Sequence, residues 1–127
     1  MKLLAATIAT LSVMAASSAR AEQAPRRVSD DLGSVAPQLE KYAQGAVADL
    51  WKRSALAPRD RSIVTLAALI ARNQTVDLAT QLDRALDNGV TREEIVELIT
   101  HLAIYAGWPN AGTAALIAKQ VFEERGA

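Results

Sequence analysis

The single histidine of this chain, His101, has two neighbours that give it a chemical setting. The stretch reads Glu97-x-x-x-His101-x-x-x-Tyr105 and runs into Gly107-Trp108-Pro109. Residues four apart on a helix share a face, one turn from each other. A carboxylate, an imidazole and a phenol would then stand in a row. The carboxylate can orient the imidazole, the imidazole is the side-chain type that exchanges protons near neutral pH, and the phenol supplies an O–H donor. Such a row could carry general acid–base chemistry. Glu–His pairs at this spacing also occur on ordinary solvated helix faces, so spacing alone leaves both readings open.

Two further groups could serve the same chemistry. Arg53, Arg59 and Arg61 flank a helix start at Pro58, where guanidinium groups would form a carboxylate-binding corner; pairing with Asp49 and Asp60 is the plain surface alternative. Trp108, between Gly107 and Pro109, would either wall a pocket beside His101 or anchor a bend.

These residues need elements to hold them, and the apolar periodicity is helical almost throughout, with no stretch that alternates as a strand would. The expectation is an all-α domain. Helix one spans about Pro37 to Arg53. Helix two opens at Pro58, is apolar on nearly all sides and should be central, and ends at Asn73. Thr75 can cap helix three, which carries Val76, Leu78, Leu82 and Leu86 and stops at Asn88-Gly89 through left-handed residues. Thr91-x-x-Glu94 forms a capping box for helix four, which runs to about Ala106; helix five follows from about Pro109 to Glu124. Helices two-three and four-five resemble two related hairpins, with Ile63-Val64-x-Leu66 and Ile95-Val96-x-Leu98 in similar places.

Composition removes whole classes of function. There is no cysteine, so thiol nucleophiles, disulfides and thiolate metal sites are excluded, and one histidine without a carboxylate cluster leaves no basis for a metal site. Residues 1–21 read as a signal peptide: a basic start, an uncharged apolar run from Leu3 to Ala16, and Ala19-Arg20-Ala21 before the cut. Cleavage there would leave 106 residues with 12 basic and 14 acidic side chains, in the periplasm or outside the cell. Such a chain has no basic excess for nucleic acid and no run long enough to cross a membrane. Residues 22–33 read as a flexible lead-in and 34–127 as one helical domain. A small exported domain without disulfides would gain stability from self-association.

The residues from Leu50-Trp51-Lys52-Arg53 through Pro58-Arg59-Asp60-Arg61-Ser62 to Val64-Thr65-Leu66-Ala67-Ala68-Leu69 resemble the front of carboxymuconolactone decarboxylase domains. Asn88-Gly89-Val90-Thr91-x-Glu93-Glu94-Ile95-x-Glu97, then His101-x-Ala103-x-Tyr105-Ala106-Gly107-Trp108-Pro109, resembles the most distinctive part of that family. The resemblance covers about Leu50 to Phe122. It implies an alkylhydroperoxidase-like helical fold assembling into trimeric or hexameric rings, and one of two chemistries: cofactor-free decarboxylation in aromatic breakdown, or peroxide reduction through Cys-x-x-Cys-x-x-x-His. In this chain the redox motif would fall on Gln74, Asp77 and Gln81, so the thiol branch is excluded.

The decarboxylase branch implies a lyase acting on a small unsaturated lactone or organic acid. His101 would be the acid, Glu97 its orienting partner and Tyr105 a donor. Arg61 with Arg59 would hold carboxylates, and Trp108 would wall the pocket. Gln81 stands where the family pattern has a histidine and would bind without titrating. The alternative is a non-catalytic or diverged exported oligomer of the same fold that binds a small acid.

Overall fold

Each helix in the computed structural model begins and ends where local chemistry dictates. The structure describes residues 28–126; the signal-peptide reading and residues 22–27 of the lead-in lie outside them. The first described element, α1 (Val28–Val35), is already helical, so the stretch read as a flexible lead-in carries helical turns before residue 33. Next come α2 (Pro37–Tyr42), a π-helical turn (Ala43–Val47) and α3 (Ala48–Lys52), which form one nearly continuous rod with no buried residue. The π turn is an irregularity that helical periodicity does not reveal.

Four longer helices make the body: α4 (Pro58–Ala71), α5 (Leu78–Asp87), α6 (Arg92–Tyr105) and α7 (Trp108–Glu124). Among the described residues there is no strand. Pro58 begins α4, where its missing N–H is harmless. After α4, Asn73 takes a positive φ of 51°, a conformation that asparagine tolerates better than most residues. Helix α5 starts at Leu78, later than expected: Asp77 is the N-cap, Thr75 makes no side-chain cap, and Val76 is exposed before the helix begins. At its other end only Gly89 is left-handed (φ 88°), while Asn88 keeps a negative φ of −85°. The capping box of α6 is present in both directions, Thr91 Oγ1 accepting from the Glu94 N–H and Glu94 accepting from the Thr91 N–H. Gly107, at φ 92°, breaks the chain between α6 and α7.

The core lies among these four helices. Helix α5 contributes Leu78, Leu82 and Ala85, α6 contributes Ile95, Ile99 and Ala103, and α7 contributes Ala111, Ala114, Ala118 and Val121. The alanines let α6 and α7, the most extensively packed pair, approach closely. Helix α4 buries one stripe, Ser62, Leu66 and Ile70, and leaves Val64 60 % exposed. It is therefore not enclosed on all sides as its composition suggested: apolar residues occupy its outer face too.

Cross-ties fix the register. Asn110 Nδ2 donates to the Ala71 carbonyl (3.2 Å), Arg92 Nη2 donates to the Phe122 carbonyl (3.3 Å), and Arg125 reaches back to Asp83 (3.0 Å) and Asp87 (2.7 Å). The two carboxylates, Asp87 above all, raise the Arg125 guanidinium further above its already high pKa.

Candidate functional site

Helix α6 carries two rows. Ile95, Ile99 and Ala103 face the core, and Glu97, His101 and Tyr105 point outward. The His101 and Tyr105 rings stack, with centroids 4.7 Å apart and planes 29° from parallel. This is the contact the four-residue spacing allows. No hydrogen bond joins Glu97 to His101 among the described residues. Trp108 follows at the first position of α7. Tyr105 is 77 % exposed and Trp108 76 %. Val96 and Ile104 of α6 and Leu116 of α7 are also exposed, so these two helices present apolar as well as titratable side chains outward. A groove of about 420 Å³ runs between α6 and α7, walled by Val96, Ile99, Thr100, Ala118 and Phe122, with Arg92 at one end; neither His101 nor Tyr105 lines it.

The arginines make contacts of their own. Arg59 forms a close ion pair with Glu94 and a looser one with Asp60 at 3.4 Å. The Glu94 carboxyl is thereby held below the usual carboxylate range, chiefly by the Thr91 backbone N–H and then by Arg59. This pair ties the first turn of α4 to the first turn of α6, and it leaves Arg59 already neutralised. Arg61 donates from Nη2 to the carbonyls of Arg53 (3.0 Å) and Leu56 (3.3 Å), and so shapes the connection into α4. Its Nε is buried without a partner. No carboxylate pairs with Arg61 among the described residues, and no contact joins it to His101.

Gln81 occupies the middle of α5, and its Oε1 is buried without a hydrogen-bond partner. One turn on, Arg84 lies over the Trp51 ring, 4.8 Å from its centroid. Another turn on, Asn88 Nδ2 donates to Ser62 Oγ (3.0 Å), and that hydroxyl donates to the Pro58 carbonyl (2.9 Å). Sequence reading overlooked the Trp51–Arg84 pair and the Ser62–Asn88 bond. A signal was available: Gln81, Arg84 and Asn88 follow a three-then-four spacing that puts polar groups on one side of a helix otherwise read for its leucines. Among the described residues no cluster of metal-ligating side chains occurs.

The arrangement thus divides the candidate residues. His101 and Tyr105 are together, with Glu97 on the same row and Trp108 just past the helix end. Arg59 reaches the same helix through Glu94, one turn before Glu97, whereas no contact joins Arg61 or Gln81 to the row among the described residues. The row can move a proton, while Arg61 offers an uncompensated cation.

Comparison with known proteins identifies a family. The sequence profile described as "Carboxymuconolactone decarboxylase family" matches residues 35–120. Over 88 residues the chain is 38 % identical to the 4-carboxymuconolactone decarboxylase of Acinetobacter baylyi, covering 69 % of this chain and 63 % of that protein. Over 88 residues it is 30 % identical to the nitrosuccinic acid decarboxylase of Metarhizium robertsii, covering 69 % and 62 %. The chain therefore spans a little under two thirds of the length of each relative.

Proposed function

We propose that this chain, which belongs to the carboxymuconolactone decarboxylase family, is a carboxy-lyase for a small organic acid. The names of the two relatives supply the chemistry to compare: a carboxylated unsaturated lactone and a nitro-substituted succinic acid. In both acids a carboxylate sits where its departing electron pair can pass into an acceptor, the conjugated lactone carbonyl or the nitro group, while another carboxylate stays behind. The C–C bond breaks, carbon dioxide leaves, and negative charge gathers on the acceptor oxygen. A proton then returns to carbon. The substrate's own acceptor takes the electron pair, so the proposal needs no cofactor.

The observation that carries the reading is the His101–Tyr105 stack on the outward row of α6, with Trp108 close by in sequence. His101 would deliver the proton to carbon, Tyr105 would donate to the developing oxyanion, Glu97 would orient the imidazole and Trp108 would shield the site. Arg61 is the better group for the retained carboxylate, because Arg59 is already paired with Glu94. The exposed apolar residues Val96, Ile104 and Leu116 of α6 and α7 support self-assembly into a trimer or hexamer, and an interface that covered His101 would remove water from around the imidazole. The basic, apolar and small-residue pattern of residues 1–21 supports a periplasmic or secreted location.

The test is the ultraviolet change of 4-carboxymuconolactone with the wild type and with His101→Ala. Loss of a general acid should slow turnover by about 100-fold or more. Equal rates would remove His101 from the mechanism. Stabilisation of the protein by the acid without any turnover would assign it to acid binding instead.

A further inference from the structure

Four arginines among the described residues are half-buried: Arg59, Arg61, Arg84 and Arg92. A guanidinium removed from water needs oxygen partners for its five N–H donors. Arg59 has Glu94, Arg61 has two loop carbonyls, and Arg92 has the carbonyls of Phe122 and Gly126. Among the described residues the Arg84 guanidinium alone has none, and it lies over the Trp51 indole at 4.8 Å. The nearby acids on its own helix, Asp83 and Asp87, are both taken by Arg125.

Arg84 also lines a cleft of about 460 Å³, bounded by the π-helical turn, α3 and the adjoining ends of α4 and α5. That volume lies in the range of small-molecule sites, about 300–1,000 Å³. Val47, Ala48, Pro58 and the Trp51 ring give it apolar walls. Its other polar groups are already engaged as donors: Gln44 Nε2 to Glu40 (2.9 Å) and Asn88 Nδ2 to Ser62 (3.0 Å). The cleft therefore offers one uncommitted cation, an aromatic face and apolar walls. A guanidinium lying over an indole keeps its edge N–H groups available, and that edge matches a carboxylate with two parallel hydrogen bonds. The π turn contributes Val47 to the wall, a common setting for such irregular turns at binding sites.

We propose that this cleft is a binding site for a small carboxylic acid with a planar unsaturated body, held by Arg84 through its carboxylate and by Trp51 through its ring. The site is separate from the His101 row and does not rest on the decarboxylase reading.

The chain has two tryptophans, so a Trp108→Phe background makes Trp51 the sole indole reporter. Benzoate is titrated into that protein, with benzamide as the uncharged analogue of the same shape. Benzoate should change Trp51 emission saturably, with a Kd of about 1 mM or tighter, and benzamide should bind about ten-fold more weakly or worse. Adding Arg84→Gln should weaken benzoate binding about ten-fold, while Arg84→Lys, which keeps the charge without the fork, should fall between. Equal affinity for benzoate and benzamide would overturn the proposal, as would unchanged benzoate affinity in a folded Arg84→Gln protein or the absence of saturation. None of these readouts requires turnover, so failure here leaves the lactone assay to decide decarboxylation separately.

Discussion

Replacing Gln81 with methionine should stabilise this protein, the reverse of what most substitutions inside a helical bundle do. Gln81 Oε1 is buried and accepts no hydrogen bond, while its neighbours on the same turns, Leu78 and Leu82, are core residues. An acceptor stripped of water and left without a donor costs about 1–3 kcal/mol. Methionine has nearly the volume of glutamine and an unbranched, adaptable chain, so it can occupy the same space without that acceptor. The Gln81 amide nitrogen is not among the buried unpartnered atoms, so its loss forfeits some hydration, and the net gain should be about 1 kcal/mol. For a domain of this size that is a rise in Tm of about 4–8 °C. Urea denaturation followed by circular dichroism, at fixed protein concentration, measures it, and an unchanged m-value would show that the gain belongs to the folded state. Alanine is the wrong probe, because truncation opens a void whose cost runs against the effect. If Gln81→Met lost about 1 kcal/mol or more, the carbonyl must have a donor in the folded protein and the reasoning from its isolation would fail. Gln81→His, tested in the lactone assay, asks the complementary question of whether a titrating group at this position adds turnover.

Leu82→Ala, at a fully buried position of α5, should cost about 3 kcal/mol by the same urea measurement; a loss below about 1 kcal/mol would mean that α5 is not packed as described. Thr91→Ala should cost about 1 kcal/mol by removing the side-chain acceptor of the α6 capping box, seen as earlier fraying of residues 91–95 in amide exchange. The Glu94 carboxyl has a folded-state pKa below its ordinary value, so its contribution is fully present above the unfolded pKa and is lost as pH falls through the lowered folded one. Glu94→Gln should therefore flatten the acid limb of the stability profile, and an unchanged limb would assign that limb to other carboxylates. Gly107→Ala should cost about 1–2 kcal/mol, because φ at this break is 92°, and Gly112→Ala in the open middle of α7 is the control that should not.

The parts that were legible from sequence are those governed by neighbours in the chain. Thr91 and Glu94 announce a helix start through a local exchange of hydrogen bonds, and Pro58, Gly89 and Gly107 announce breaks through backbone restriction. Family membership was legible in the run from Thr91 to Pro109. The π turn at Ala43–Val47 was not, because a single added residue per turn leaves no compositional mark. The outer face of α4 was misread for a different reason. Apolar composition reports that a face avoids water, but not whether its own chain or another surface covers it, and Val64 is exposed here. Partners distant in sequence were invisible: Arg59 with Glu94, Asn88 with Ser62, and Arg84 with Trp51 depend on how helices pack. Of the site residues, spacing alone brought His101 and Tyr105 together; it could not show that Arg61 donates from Nη2 to two loop carbonyls.

The two rows of α6 have a consequence for how such a protein diverges. Ile95, Ile99 and Ala103 hold the bundle, while Glu97, His101 and Tyr105 turn away from it on the same 14-residue helix. Within one protomer, a change of chemistry and a change of scaffold are then nearly independent mutations. The outward row can lose, gain or exchange a reactive group in one step, and the inward row keeps folding the result. A lineage built on this helix can try new reactions without first surviving an unstable intermediate.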